Sequence, residues 1–177
     1  MIVLHIDTEL DTHVMSVLYD NMTDAIILVN PMREEFEEVM RQHPGEPFMC
    51  IGHGSPCGLF AAHGDEWSHI IDDTNVDLLM DREVIGIWCH ADMFAEQYGL
   101  HGFFTHMFIS NPTECACFAM DEHSYEECNE QNVRFATLIN EYVRNGKPLN
   151  EWVETLQASH DDVDFVNYNY DHLQYFE

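Results

Sequence analysis

Basic side chains are the scarcest chemistry in this chain: six Lys and Arg stand against 33 Asp and Glu over 177 residues, a formal charge of −27. The shortage is uniform, with 2, 1 and 3 basic residues against 10, 10 and 13 acidic ones in residues 1–60, 61–120 and 121–177. A chain with so few cations to displace counterions is not built for nucleic acid phosphates. Anionic membrane surfaces are excluded on the same ground. A basic partner, a cationic peptide, metal ions or a merely solubilising surface all remain open. No apolar run approaches the roughly 18 residues needed to span a bilayer. The start, Met1 to Asp7, has no basic n-region and no long apolar stretch, so a cytoplasmic protein is expected. The six cysteines include no CxxC pair, which argues against a zinc ribbon, and they are read as reduced thiols. Apolar residues are not short. At 46% hydrophobic, the chain has the means to build a core and is unlike a disordered acidic segment. A single domain over residues 1–177 is expected.

The first two thirds alternate between strand and helix patterns. Apolar runs at 2–6, 25–29, 47–51, 84–88 and 105–109 predict five buried strands. Thr8 is the expected N-cap of a helix carrying Leu10, Val14, Val17 and Leu18. Asn30 and Pro31 are expected to open a second helix with Met32, Phe36, Val39 and Met40 on one face. Residues 93–98 read as helical and residues 57–81 as loop-rich. Ser124 and Glu127 form a capping box before a helix bearing Phe135, Leu138, Ile139 and Tyr142. Leu149 to Leu156 predicts another helix. The aromatic segment 165–176 has no clear pattern. Strands separated by helices imply right-handed crossovers and a mostly parallel sheet flanked by helices, an α/β fold.

Ligands of open parallel sheets bind beyond the carboxyl ends of the strands. The third run closes in Gly52-His53-Gly54 and the fourth in Cys89-His90. If these strands are neighbours, a thiol and an imidazole emerge side by side, as nucleophilic catalysis requires. The flanking glycines permit a sharp turn, and the Gly54 amide could face an oxyanion. Cys89 precedes a helix, whose N-terminus is expected to lower the thiol pKa. The competing readings are ordinary ones. Cys50 is a core residue, Cys115 and Cys117 share a face of a strand, and His63-Gly64 is a rival to His53 that follows no apolar strand. His5 pairs locally with Asp7, and the pairs Asp72-Asp73, Glu34-Glu35 and Glu126-Glu127 are solvated.

An apolar strand ending in His-Gly, followed by an apolar strand ending in Cys before a helix, resembles the caspase-like cysteine peptidases. The matching segments are FMCIGHGSPCGLF (48–60) and EVIGIWCHADMFAEQYGLHGFF (83–104). THMFISNPTEC (105–115) resembles the following strand and its loop, and FATLINEYVRNGKPLNEWVETLQ (135–157) the paired helices of CHAT-type members. The resemblance implies a caspase-like three-layer sandwich. Cys89 is then the nucleophile, and His53 the base and leaving-group acid. The amides of Gly54 and Cys89 hold the oxyanion, and Ser110 and Asn111 border the substrate pocket. His53 and Cys89 are 36 residues apart, and Trp88-Cys89-His90-Ala91 differs from the caspase signature QACxG. Arg82 is the only basic residue between positions 42 and 133. An Asp-specific pocket is therefore not expected, and a neutral or basic residue before the cleaved bond is. The expected partner is a peptide or protein substrate, with no cofactor and no metal assigned. Two alternatives belong to other classes: an inactive caspase-like scaffold that binds a basic protein, and a divalent-metal protein using His and carboxylates.

Overall fold

The computed structural model describes residues 1–64, 68–160 and 162–177. Six strands form one sheet: β1 (Ile2–His5), β2 (Ile26–Val29), β3 (Phe48–Ile51), and, beyond a small second sheet, the strands Val84–Ile87, Gly102–Phe104 and Gln174–Phe176. The second sheet is antiparallel and consists of β4 (Gly54–Ser55), β5 (Gly58–Phe60) and β6 (His69–Ile71), so the later strands are β7, β8 and β9. The main sheet runs in the order β2-β1-β3-β7-β8-β9. Its first five strands are parallel and β9 is antiparallel.

Period-two alternation along the strands builds two cores. Val3, Met49, Ile51, Ile85, Ile87 and Phe103 face one way. Ile2, Leu4, Phe48, Cys50, Val84 and Phe104 face the other. Phe36 and Met40 of α2 (Arg33–Gln42) and Phe94 of α3 (Ala91–Tyr98) cover the second face; α1 (Leu10–His13) precedes them in the chain. The first face is covered by α4 (Pro112–Cys117), α5 (Tyr125–Arg144), α6 (Trp152–Gln157) and α7 (Asp164–Asp171), through Cys115, Phe135, Ile139, Trp152, Leu156, Phe165 and Tyr170. The protein is thus α/β, with helices on both faces of a mostly parallel mixed sheet. Among the described residues no helix is long and apolar enough to cross a membrane.

Several local expectations are corrected. The strand at 105–109 is displaced to β8, because the carbonyls of Thr105 and His106 accept from the amides of Asp92 and His90 (3.0 and 2.9 Å) instead of continuing the ladder. Cys115 and Cys117 lie in α4, not in a strand. The loop-rich stretch holds β5 and β6, whose Leu59, Ile70 and Ile71 are buried. Helix α2 opens after Met32 rather than Asn30. Asn30 adopts positive φ and instead ties two strand ends together, accepting from the Asp7 amide and donating to the Asp7 carbonyl, both at 2.8 Å. The cap of α1 is Glu9, not Thr8. β2 is an edge strand with Ile27 and Val29 exposed, not a buried one. Asp72 is held by the Arg33 guanidinium through both oxygens (2.6 and 2.8 Å) rather than left to solvent. The unassigned C-terminal segment supplies α7 and β9. The Ser124–Glu127 capping box forms as expected.

Candidate active site

The strand order reverses at β1, which sits between β2 and β3, and such a switch point opens a crevice beyond the carboxyl ends of the strands. A cleft of about 810 Å³ lies there. β1 delivers Asp11 to it, β3 delivers His53, and β7, paired in parallel register with β3, delivers Cys89. The conditional expectation that the His53 and Cys89 strands are neighbours is met. Both residues also line a small cavity of about 30 Å³, floored by Ile51, Ile87 and Phe108 and large enough for a water molecule.

The approach of β4 to β7 dictates glycine at position 54. A Cβ there would stand 2.2 Å from Trp88 Cδ1, and Trp88 is the residue before the thiol. Trp88 is buried and its indole N–H donates to the Ser55 carbonyl (3.3 Å), which locks the two strand ends together. The Phe60 amide donates to the His53 carbonyl (2.9 Å), so Gly54 and Leu59 form a non-hydrogen-bonded pair and the Gly54 amide is not spent on β5.

Asp11 organises the site. Its carboxylate is 7% exposed and accepts from the Thr12 amide (2.9 Å), the Ser110 hydroxyl (2.7 Å) and the Asn111 amide group (3.1 Å). Nε2 of His53 stands 3.5 Å from Asp11 Oδ1 and 3.9 Å from Glu9 Oε2, an ion-pair contact rather than a formed hydrogen bond. Burial pushes the Asp11 pKa up, but His53, Ser110 and Asn111 outweigh it and hold the carboxyl well below the usual range. Asp11 in turn raises the His53 pKa against the opposing effect of burial, with smaller help from Glu9 and Glu114. Asn111 lines the cleft and Ser110 the small cavity beside it, but their side chains are engaged. Ser110 bonds Asp11 and Glu114, while Asn111 caps α4 through the Glu114 amide.

The Cys89 thiol departs from expectation. It is pushed up to about 12, first by burial and then by the Glu114 carboxylate, with the Asp11 charge adding to both. These outweigh the nearby N-terminus of α3, so the resting group is a thiol, with its S–H directed to the Phe108 carbonyl at 3.6 Å. Glu114 is itself raised by burial while accepting from the Ser110 amide at 2.7 Å.

Asp11, Glu9 and Glu114 are the site residues that sequence reasoning missed. Asp11 follows β1 at the same edge as the other two, so the strand-end rule that selected His53 and Cys89 also applied to it. Glu9, Asp11 and His53 bring ligand-type atoms within 4.8 Å of one another and could hold a cation. His5 does not pair with Asp7. Its buried ring bonds the Tyr19 hydroxyl and the Thr12 carbonyl, both at 2.9 Å, and so steadies the turn that carries Asp11. His63 reaches the Asn30 carbonyl (3.1 Å) and is bonded to none of these groups. All six cysteines are free. No protein-family model and no curated protein sequence matches this chain.

Proposed function

We propose that this chain is a caspase-like cysteine peptidase in which Cys89 is the nucleophile and His53 the proton carrier. One observation carries the reading: His53 and Cys89 follow adjacent parallel strands and line one cleft, with the Asp11 carboxylate behind the imidazole. In this reading the Cys89 sulfur attacks the substrate carbonyl as its proton passes to the imidazole, directly or through one water. The new S–C bond turns the carbonyl oxygen into an oxyanion, for which the Gly54 and Cys89 amides are the proposed donors. Collapse breaks the C–N bond, and the imidazolium gives its proton to the departing amine. Water then attacks the thioester while His53 takes its proton. The acid departs and the Cys89 thiol is restored. Asp11 stabilises the imidazolium in both halves. Because burial keeps the resting Cys89 a thiol, its proton transfer accompanies the attack in this reading. The carboxylates of Glu9, Asp11 and Glu114 around the cleft favour a basic side chain before the cleaved bond and disfavour an acidic one.

Fluorogenic peptides with Lys, Arg, Ala or Asp before the reporter test the reading. Hydrolysis is expected with the basic and neutral members and lost in Cys89→Ala. His53→Ala should lower kcat by roughly 10² to 10⁴. A Cys89→Ala protein as active as the parent overturns the proposal. The neutral resting thiol favours one second reading, an inactive scaffold of the same fold that binds a basic protein through its acidic surface. Failure of a basic acyloxymethyl ketone to label Cys89, with retained binding of a basic peptide, would select it.

A further inference from the structure

We propose that His90, Asp92 and His106 form a binding site for a divalent first-row transition ion, separate from the Asp11–His53 cluster and independent of the peptidase reading. One ligand atom from each residue lies within 4.8 Å of the other two. Nitrogen and oxygen ligands about 2.1 Å from a common zinc ion stand roughly 3–4 Å apart, so small side-chain rotations close the set. The backbone already holds the two contributing segments together: the His90 amide donates to the His106 carbonyl (2.9 Å) and the Asp92 amide to the Thr105 carbonyl (3.0 Å).

The second observation is what the cluster leaves unpaired. His90 Nδ1 and Asp92 Oδ1 are both buried and neither has a hydrogen-bond partner. Buried polar atoms of this kind normally find one. The remaining contact is a hydrogen bond between His106 Nδ1 and Asp92 Oδ2 at 2.9 Å, which an ion held by both groups would replace. His172 stacks on His106 at 5.7 Å and 25°, and Tyr168 lies 4.2 Å from His172, so the His106 ring is braced from outside. Two imidazoles and one carboxylate suit zinc, iron or cobalt and not magnesium or calcium, which prefer all-oxygen sets. Three protein ligands leave a further position for water.

The test is calorimetric titration of the full chain with Zn²⁺ in excess Mg²⁺, which occupies surface carboxylates. One tight equivalent is expected. His90→Ala and His106→Ala should each weaken it roughly 100-fold, while Cys89→Ala leaves it unchanged. Binding as tight in both histidine variants as in the parent overturns the proposal, as does binding that Mg²⁺ abolishes. Co²⁺ added to the unsubstituted protein covers the case of a variant that fails to fold. Visible ligand-field bands that lack a thiolate charge-transfer band and persist in His53→Ala support the site; bands lost in His53→Ala belong to the Glu9–Asp11–His53 cluster and overturn it. Absence of bands, or a thiolate band lost in Cys89→Ala, overturns it. None of these readouts depends on peptide cleavage, so the two proposals fail separately.

Discussion

Asp11 and Asp92 each stand against an imidazole, and they differ in what else they hold. Asp11 accepts from a backbone amide, a hydroxyl and a side-chain amide before His53 is counted. Asp92 bonds His106 through one oxygen and leaves the other buried and unpaired. A saturated carboxylate has fixed geometry, and what it can still do is favour the charged form of its histidine. An unsaturated one beside an unpaired His90 nitrogen keeps an oxygen open to a cation, whereas in the first cluster the unpaired atom is His53 Nε2 and the carboxylate itself is filled. The same residue types thus give a proton-holding cluster in the cleft and an ion-holding cluster at the start of α3.

The sharpest way to break that contrast is to remove each carboxylate in turn. Asp11→Ala strands three donors and the His53 ring, and should cost about 3 kcal/mol of unfolding free energy. Asp92→Ala, measured by urea denaturation with a chelator present, removes one contact and one unpaired oxygen and should cost about 1 kcal/mol. Equal losses would mean that the second cluster is self-sufficient and that the contrast is false.

The next effect is on protons. The pKa of His53 is raised in the folded state, so its contribution to stability is complete below about 6.5, the unfolded value, and is lost as pH rises through the folded value. Asp11 runs the other way, contributing above the ordinary carboxylate range and losing its share only in strong acid. In Asp11→Asn, burial acts on His53 against only the smaller pull of Glu9 and Glu114, so its titration, followed by ring-proton NMR, should fall below the parent value. The parent should lose stability relative to that variant as pH rises from about 6.5 through the folded His53 value. The comparison must be a difference of the two curves, because buried His5 and half-buried His90, with pKa values lowered by desolvation, gain stability as pH rises. An unmoved His53 titration would show that Asp11 does not set it.

Much of this was legible in the chain. Short continuous apolar runs marked β1, β3 and β7, and the residues just beyond two of them marked His53 and Cys89. What escaped was non-local. Thr105 to Ile109 looks like a strand in isolation, but its carbonyls are claimed by amides at the start of α3. Asp11 looked like part of a helix start, and its importance comes from Ser110, 99 residues away. The thiol pKa followed the same logic: the helix terminus was visible, whereas the burial and the Glu114 carboxylate that overrule it are products of the fold.

The smallest expected effect separates local contacts from the overall charge. Arg41 is one of six basic residues and pairs with Glu37 one turn away on α2 at 2.7 Å, half exposed. It lies near the C-terminus of α2, just before the chain turns into the first residue of β3, so it belongs to the sheet edge opposite the cleft. Arg41→Ala should cost about 0.4 kcal/mol, the usual value of an exposed i,i+4 pair. At 0.15 M salt the screening length is about 8 Å, shorter than the crossing from one sheet edge to the other. The His53 titration and the Zn²⁺ affinity should therefore stay at the parent values. If the His53 pKa rose in this variant as much as it falls in Asp11→Asn, the diffuse charge of the whole chain, not one buried carboxylate, would govern the imidazole. The contrast between the two clusters would then reduce to their distance from a uniformly acidic surface.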